Sequence, residues 1–483
     1  MARMTVMTAV LQHSERVGLF HYRIETDLWR ALLEMVDRTV TFIALWVDED
    51  EATLLLLYDE SPILLSTAVE KRRYYAPSLR FPAAQWHERL ARDLWGVEAL
   101  SARDDRALLD DGCWPLTWPL AREPIPVQGE RTSPDHRPGM VPSRTALPGL
   151  LGVRYEVVNG RVEQLDVQIA PGHRGVLSQL KGRTVAEALK IISRVNAAGF
   201  VAHPLAFTRA VEQAQAQLPT PRERDTRLIL LEIERMSVHM FDLAQSARAA
   251  GAELLATYSD HMREALAQTC EEHGASRRLT DMVRPLDEGG CAISEIVPLA
   301  QAVITVVSVS LPRLIGLHHV YASRLEGLAV LPTEMAWAYG IGGVAGRASG
   351  RYVDRRALDI GMRLDALRSS GRHEGCALAR NRQRLAEIGD SITLMERILA
   401  SIGLDDEAQA YPVTDEGVGV AESARGDIWY WVTLQQGKIQ KIHIRDPALP
   451  LLTVLGDILN GHKPEEIGAA LLSLGISTAG VAL

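Results

Sequence analysis

The chain has 483 residues, of which 47% are hydrophobic and 23% charged, a composition typical of a globular protein with a large core. Its formal net charge is -9 and it has no dense lysine or arginine block, which excludes nucleic acid as a partner. No two cysteines form a Cys-x-x-Cys pair, so we predict neither a zinc knuckle nor an iron-sulfur cluster in this chain. The four are Cys113, Cys270, Cys291 and Cys376.

The N-terminus lacks the charged, apolar and small-residue regions of a secretory signal, so we expect the chain to stay in the cytoplasm. Residues 1–125 alternate between helix-like and strand-like segments, which predicts an α/β module. Leu28 to Val36 has the spacing of an amphipathic helix, whereas Thr39 to Val47 and Ala52 to Tyr58 are apolar strands. The acidic turn at 48–51 lacks the alternating ligands and central glycine of a calcium loop, so we predict a solvated hairpin tip.

Residues 126–147 are rich in Pro, Gly, Ser and Arg and show no periodicity, which predicts a linker. The second domain, residues 148–483, opens with strand-like alternation in which Asn159 and Gly160 supply a tight hairpin turn. The predicted fold class is α+β, an α/β module followed by a mainly helical domain with small edge sheets. Helical periodicity predicts Val185–Val195, His203–Gln217, Arg222–Ala250, Leu254–His273, 296–324 and Arg372–Ile402 as helices.

The longest uncharged stretch runs from Ile296 to Pro312. It is about one turn too short for a comfortable membrane span, and it contains Pro298 and Gln301. We therefore predict a buried helix, and we expect any membrane attachment to come through partner subunits.

The segment from Arg194 to Arg235 carries a family resemblance. It resembles part of the large subunit of nickel-iron hydrogenases of the formate hydrogenlyase and hydrogenase-4 type, and of the homologous forty-nine-kilodalton subunit of complex I. In those hydrogenases an Arg-x-Cys-Gly-x-Cys run precedes Ala-His, an alanine-rich helix and a Leu-Leu-Glu-x-Glu-Arg helix. The matching residues here are Arg194, Ala202, His203, Ala206, Val211, Glu212, Pro221, Arg227, Glu232, Glu234, Arg235 and His239.

Further segments extend the resemblance to nearly the whole chain. Glu88, Arg89, Asp93 and Gly96 resemble the signature of the thirty-kilodalton subunit of complex I, a module fused ahead of the large subunit in these hydrogenases. Residues 331–356 resemble the family's Gly-x-x-x-Arg-Ala-Ser-Gly segment, and residues 422–427 its Glu-x-x-Arg-Gly-Asp turn. These two segments place in register Arg347, Asp354, Arg356, Arg425 and Asp427.

The resemblance also locates the four positions at which the hydrogenases carry cysteine ligands. A nickel-iron centre needs soft thiolate donors. The glutamate that passes protons in the hydrogenase motif falls on Leu177. We therefore predict no metal bound by this chain and no hydrogenase activity. The four lost ligand positions are Asn196, Gly199, Ser477 and Gly480.

Complex I uses the same cavity for quinone, with a histidine in an early loop and a tyrosine near the first cysteine motif. These positions fall on Pro142 and Ala197, although His136 lies near the first of them. The proton donors expected for quinone reduction are thus not where the family keeps them. Quinone binding stays open.

Ten polar residues of the family frame are retained, and two interpretations of them remain open. They form either a charged network that links the cavity to partner subunits, or ion pairs that fasten helices around an inactive site. Glu232 and His239 lie two turns apart on one helix face, but without a third ligand they make a poor metal site. The ten are Arg194, His203, Glu232, Arg235, His239, Arg347, Asp354, Arg356, Arg425 and Asp427.

The resemblance implies a peripheral-arm large subunit of a membrane-bound oxidoreductase complex, at the cytoplasmic face of the inner membrane and without a nickel-iron centre. The implied partners are a small iron-sulfur subunit, like the twenty-kilodalton protein of complex I, which carries the cluster, and antiporter-like subunits of the membrane arm. Two alternatives remain. The cavity has been remade to reduce quinone or another acceptor, or the chain is a non-catalytic scaffold that docks the iron-sulfur subunit to the membrane arm.

Overall fold

The structure is a computed structural model. Beyond residue 175 most of the chain is helical, and the sheets are small, so the predicted α+β class is confirmed. Most of the predicted linker, with His136 and Pro142, lies outside the described residues, as does Cys113. The structure describes residues 6–35, 40–110, 114–127, 140–141, 151–169, 173–293, 295–360, 373–403 and 412–483.

A five-stranded sheet forms the base of the N-terminal part. The strands lie in the order β1-β2-β5-β4-β3, with β2 parallel to β5 and the other neighbours antiparallel. Its apolar residues pack against three helices in one core. The elements are α1 (Val6–Gln12), β1 (Glu15–Arg16), β2 (His21–Arg23), α2 (Thr26–Met35), β3 (Val40–Val47), β4 (Glu51–Tyr58), β5 (Ser61–Ala68), β6 (Arg73–Tyr75), α3 (Gln85–Trp95), β7 (Glu98–Leu100), β8 (Leu116–Thr117) and β9 (Ile125–Pro126).

Residues that resemble the thirty-kilodalton signature hold the segments around α3 in place. Glu88 accepts a hydrogen bond from the backbone N–H of Ser78 at 2.7 Å, and burial raises the pKa of this carboxyl to about 7. Asp93 accepts from the backbone N–H groups of Leu108 and Leu109, each at 2.7 Å. Both carboxylates therefore satisfy backbone donors that would otherwise be buried without partners.

The second part begins with a hairpin whose turn residues Asn159 and Gly160 have φ of 53° and 77°, as the sequence predicts. Helices then dominate until an antiparallel three-stranded sheet near the C-terminus. The elements are β10 (Met140–Val141), β11 (Leu151–Val158), β12 (Arg161–Ile169), α4 (Val176–Leu180), α5 (Val185–Ile192), α6 (Ala202–Ala214), α7 (Pro221–Ala249), α8 (Glu253–Glu272), α9 (Ile296–Val320), α10 (Thr333–Ala338), α11 (Gly343–Ala348), α12 (Ala357–Ile360), α13 (Ala377–Ala400), β13 (Glu416–Ser423), β14 (Gly426–Gln435), β15 (Lys438–Arg445), α14 (Ala448–Thr453), α15 (Leu455–Leu459) and α16 (Ile467–Leu474).

Helix α6 lies directly on β13 because two glycines let the backbones approach. A Cβ on Gly417 would lie 2.0 Å from the carbonyl oxygen of Ala210, and a Cβ on Gly419 would lie 2.0 Å from that of Ala206. Neither strand position can carry a side chain without separating the helix from the sheet. This contact fixes the loop before α6 against the C-terminal sheet.

Helix α9 is not the buried helix that the sequence predicts. Only 28% of its most apolar 18-residue window is buried, and Val309 and Val320 are 78% and 72% exposed. One face packs into the core through residues such as Leu299 and Val303, whereas the opposite face has no helix over it in the described part of the chain. By length and composition alone, α9 is able to cross a membrane, and no other described helix is.

The N-terminal sheet packs against the C-terminal sheet through an aromatic stack, which we call the tryptophan cluster: Trp46, Trp431 and His443. The three rings all contact one another, with centroids 5.8 Å apart for Trp46 and Trp431, 5.0 Å for Trp431 and His443, and 5.5 Å for Trp46 and His443. The acidic turn predicted as a solvated tip does join β3 and β4, but it also contacts the other sheet: Lys441 Nζ lies 2.7 Å from Glu51 Oε1 and 3.1 Å from Asp48 Oδ2.

The tryptophan cluster predicts a loss of stability in acid. Burial, and to a lesser degree Lys441, lower the pKa of His443 to about 4 against the opposing effect of Asp48. The unfolded chain therefore binds a proton on this imidazole below pH 6.5 that the folded chain does not, and stability falls as the pH drops from about 6.5 towards 4. His443→Phe keeps the stack and removes this proton.

The unfolding midpoint of His443→Phe should thus fall less between pH 7 and 5 than that of the parent. The matched control is His319→Phe, since His319 is exposed on α9. Parallel midpoint curves for the parent and His443→Phe would contradict this role of His443.

Candidate functional site

Three of the four lost ligand positions meet around one carboxylate, that of Asp446. Asn196, in the loop before α6, donates from Nδ2 to Asp446 Oδ2 at 3.0 Å. Gly480, in the turn after α16, has no room for a side chain, because its Cβ would lie 1.8 Å from the same Oδ2. Ser477 lines the same small cavity as Asn196 and Asp446. The structure therefore brings together positions that the resemblance identified, although they lie more than 280 residues apart in the chain.

His203 fills the space on the other side of Asp446. Its Nδ1 lies 3.0 Å from the hydroxyl oxygen of Tyr430, and its Nε2 lies 3.4 Å from Asp446 Oδ2, out of hydrogen-bond alignment. A Cβ on Gly199 would lie 2.6 Å from His203 Cδ2. All three of these polar side chains are buried. The fourth ligand position is therefore blocked by an imidazole.

Burial works to raise the pKa of Asp446, but His203 and hydrogen bonds from Ala448 N–H and Asn196 outweigh it and lower that pKa. Sequence reasoning did not select Asp446 or Tyr430 as site residues. Asp446 directly follows β15, and nothing in the neighbouring sequence marks its carboxylate as the group beside Asn196.

These residues do not fit a nickel-iron centre. The four positions supply an amide, a hydroxyl and two hydrogens where thiolates are needed. The cavity between them has a volume of about 10 Å³, at the lower limit for even one water molecule. No group of three or more His, Cys, Asp or Glu side chains able to hold a metal occurs among the described residues. The described cysteines lie elsewhere, and burial raises the pKa of the Cys270 thiol to about 12.

The contact between Gly480 and Asp446 predicts a strong energetic coupling. Gly480→Ala should lower the free energy of unfolding by about 1–3 kcal/mol, because the added methyl overlaps the carboxylate of Asp446. In a chain that already carries Asp446→Ala, Gly480→Ala should lower the free energy of unfolding by much less. The control is Gly316→Ala, where an added Cβ meets no atom within 4 Å. An equal cost of Gly480→Ala in both backgrounds, measured by denaturant unfolding, would refute this packing.

A second group of polar residues forms what we call the buried charge cluster, next to the lost metal site. Arg347 donates to Glu387 at 2.7 Å and to Glu422 at 2.8 Å. Arg356 donates to Glu232 at 3.1 Å and to Asp354 at 2.6 Å. The cluster consists of Glu232, Arg235, His239, Arg347, Asp354, Arg356, Glu387 and Glu422, which come from α7, α11, α13, β13 and the segment after α11.

Four carboxylates face three guanidinium groups in this cluster, within the described part of the chain. Burial acts to raise the pKa of every carboxyl here. Arg347, His239 and Arg356 together outweigh burial at Glu387, and Arg356, Arg347 and Arg235 together outweigh it at Asp354, so both pKa values are lowered. At Glu422, burial and the neighbouring Asp354 prevail, and the pKa is raised. Glu422 is therefore the weakest acid among the four carboxyl groups of the cluster.

His239 joins the cluster from α7. Its Nε2 lies 2.9 Å from Glu387 Oε2, and Nδ1 is buried with no hydrogen-bond partner in the described structure. Burial lowers its pKa, although Glu387 opposes this effect. Glu232, which shares a helix face with His239, is paired to Arg235 and Arg356 instead. The two therefore do not share a metal.

The ten retained residues do not form one network. Six belong to the buried charge cluster, whereas Arg194 lies outside it. Its side chain is 54% exposed and pairs with Asp281 at 2.6 Å, because the turn after α5 carries it to the surface. His203 belongs to the Asp446 site described above. Arg425 and Asp427 lie beside the cluster in separate pairs.

Arg425 binds Asp242 at 2.6 Å, and Asp427 lies 2.9 Å from Arg445. Glu387, Asp242 and Arg445 are the charged residues that sequence reasoning missed. No motif marks them. Each is a charge on a mostly buried helix face or strand, and this is the signal that could have indicated a buried partner.

A larger cavity, which we call the arginine cavity, opens next to Ala197, the position of the quinone tyrosine in the family. Its volume is about 410 Å³, and it lies between α7, α8, the loop before α6 and residues 277–279. Ala197 offers only a methyl group to it. The residues that could hold a ligand there include Phe200, Phe241, Arg263, Arg278 and Arg425.

Comparisons with known proteins show which proteins the chain is similar to. Residues 251–412 match the family model described as the 49 Kd subunit of respiratory-chain NADH dehydrogenase. The chain is similar to that subunit over this range. A carbon monoxide-induced hydrogenase from Rhodospirillum rubrum is 25% identical over 353 residues, which cover 68% of this chain and 93% of the relative.

Two further relatives are named as the C/D subunit of an NADH-quinone oxidoreductase. The one from Bacteroides thetaiotaomicron is 23% identical over 458 residues, covering 84% of this chain and 85% of the relative. The one from Bacteroides fragilis is 24% identical over 345 residues, covering 68% of this chain, and the chain spans only 64% of that relative. An N-terminal sheet module followed by a helical domain of the 49 Kd type is thus confirmed for this chain.

Proposed function

We propose that the chain is a peripheral-arm large subunit of a membrane-bound oxidoreductase complex, related to complex I and hydrogenase-4 and working without a nickel-iron centre. The observation that carries the proposal is the position of Asp446. Its carboxylate touches Asn196 and fills the space beside Gly480, where two halves of a thiolate set would have to meet. Electron transfer in the complex then depends on cofactors outside this chain.

The partners in this proposal are a small iron-sulfur subunit, like the twenty-kilodalton protein of complex I, and antiporter-like subunits of the membrane arm. The names of the relatives, as parts of an NADH-quinone oxidoreductase, support such an assembly. The exposed apolar side chains of α9 support it as well, because soluble monomers seldom expose large apolar patches. The proposed location is the cytoplasmic face of the membrane.

Two alternatives each have an observation in their favour. The arginine cavity beside Ala197 favours a remodelled acceptor site for quinone or another molecule. The buried charge cluster favours a scaffold, because its ion pairs join α7, α11, α13 and β13 and would be costly to break singly even without catalysis.

We further propose the domain division 1–125, 126–147 and 148–483. The lack of apolar periodicity in the middle segment supports it. Limited proteolysis of the purified chain should cut first within that segment, and first cuts between residues 200 and 270 would contradict the division.

Affinity purification from native membranes tests the assembly. A tagged chain should copurify with a small iron-sulfur protein and with polytopic membrane proteins after mild detergent extraction. The charge reversal Arg235→Glu should reduce this recovery, since Arg235 is fully buried against Glu232, whereas Arg194→Glu on the surface should reduce it less. A monodisperse soluble monomer without an iron-sulfur protein would contradict the proposal.

A further inference from the structure

The arginine cavity has an apolar floor. Phe200 from the loop before α6, Ile233 and Phe241 from α7, and Leu266 from α8 line it. A pocket of about 410 Å³ with such walls is of the size that takes a small organic ligand. The charged groups around this floor decide what kind of ligand it fits.

The carboxylates of the cavity are already engaged. Asp260 pairs with Arg248 at 2.6 Å, and Glu264 pairs with Arg277 at 2.5 Å. Glu234 accepts two backbone N–H groups at the start of α6, at 2.5 and 3.1 Å, and burial raises the pKa of this carboxyl to about 7. Of the three, only Glu264 forms an ion pair with an arginine that lines the cavity, Arg277, within the described residues, while Asp260 and Glu264 attract Arg263 at longer range.

Three arginines remain with unused donors. Arg263 stacks on Phe241 at 5.0 Å and forms no ion pair with a carboxylate in the described part of the chain. Burial lowers the pKa of Arg263, and the nearby Arg278, an exposed residue at the rim, adds to this effect against Asp260. Arg425 uses Nε and Nη2 on Asp242, while its buried Nη1 has no hydrogen-bond partner among the described residues.

We propose that the arginine cavity binds a small molecule with an anionic head group, a carboxylate or a phosphate, on an apolar body. The head group takes the donors of Arg263 and Arg278, because guanidinium groups bind such anions with charge-assisted hydrogen bonds. The apolar body lies on Phe200, Ile233 and Leu266. An anion there offsets the repulsion between Arg263 and Arg278.

This site goes beyond the proposed function, because every group in it belongs to this chain and none depends on a partner subunit. Binding to the purified full chain and copurification from membranes can therefore fail independently. A neutral quinone supplies no charge to the arginines, so the inference also separates this ligand class from the one that complex I uses.

The test is calorimetric titration of the full chain with 4-hexylbenzoate, 4-hexylphenyl phosphate and the uncharged 4-hexylbenzamide. At least one of the two anions should bind, and the amide should bind at least about tenfold more weakly. Arg263→Met, which keeps the packing on Phe241 but removes the charge, should weaken anion binding by about tenfold or more. Arg313→Met is the matched control, because Arg313 stacks on Tyr258 at the same 5.0 Å and does not line the cavity.

Three results would overturn the inference: equal affinity for the amide and the anions, no binding of either anion, or anion binding that Arg263→Met leaves unchanged. A circular dichroism spectrum and an unfolding midpoint like those of Arg313→Met show that Arg263→Met is folded. A loss of affinity in such a variant then reports on the charge.

Discussion

Replacing Arg347 with methionine is expected to lower the free energy of unfolding by about 3–5 kcal/mol, because it leaves Glu387 and Glu422 buried without their shared counter-ion. Methionine fills much of the same volume, so the loss measures charge rather than a cavity. Arg347 also lies 3.3 Å from Asp354, which keeps Arg356 as its ion-pair partner when Arg347 is replaced. Denaturant unfolding monitored by circular dichroism measures this change in the free energy of unfolding.

The matched control is Arg194→Met. Arg194 also binds a carboxylate through two donors, but its side chain is 54% exposed and Asp281 is 40% exposed. Water solvates the carboxylate left behind, so the unfolding midpoint should stay within experimental error of the parent. If both variants lost stability equally, Arg347 would not lie in a water-excluded cluster.

The second large effect is expected at the tryptophan cluster. Trp431→Ala should lower the free energy of unfolding by about 3–5 kcal/mol, because it removes a nearly fully buried indole that packs on both Trp46 and His443. The substitution also removes the hydrogen bond from Trp431 Nε1 to Glu416 at 2.9 Å. The C-terminal sheet then loses its main aromatic contact with the N-terminal sheet.

The control for Trp431→Ala is Trp337→Ala, since Trp337 is 57% exposed. If residues 1–125 fold independently, as proposed, Trp431→Ala should also speed proteolysis between the two parts while the N-terminal fragment stays protected. Cleavage spread evenly over the N-terminal part would contradict an independent module. An unchanged unfolding midpoint would contradict the packing between the sheets.

Local periodicity predicted most of the helices to within a few residues. Arg222–Ala250 was expected and Pro221–Ala249 is observed, because a threonine cap and a proline at the first helical position define its start. The hairpin turn at Asn159 and Gly160 was likewise predicted from its own residues. Such features depend on residues that are neighbours in sequence, so one sequence without any structure is enough to predict them.

Burial was harder to predict than secondary structure. The uncharged composition of α9 indicated a buried helix, yet composition does not say which neighbours cover each face. Arg194 was grouped with the other retained polar residues from its motif, although the turn after α5 carries it to the surface. In both cases the tertiary arrangement decides how exposed the side chains are. The sequence of the segment alone does not show that arrangement.

The partners of the site residues were beyond the reach of local sequence reasoning. Asn196 and Asp446 are 250 positions apart, and His239 and Glu387 are 148 positions apart. The resemblance identified Asn196 and His239, whereas only the fold shows that Asp446 and Glu387 lie beside them. Loss of the cysteines could be read from the motif, but the filling of their space by Asp446 and His203 could not.

Retention of the surrounding frame has a physical reason under either interpretation. Removing one member of the buried charge cluster leaves an unpaired charge in a dry interior, so these residues resist change even when the metal ligands are lost. Asn196, Gly199, Ser477 and Gly480 carry no such charge. The contrast explains how a family frame can persist around a site whose chemistry has changed.

Metal content of the complex purified from native membranes tests the central claim most directly. Elemental analysis, with the chain quantified by amino-acid analysis, should give iron from a partner subunit and nickel close to zero, because no thiolate set exists at the four positions. A nickel-iron hydrogenase, measured in parallel, calibrates the nickel signal. About one nickel per chain would contradict the claim.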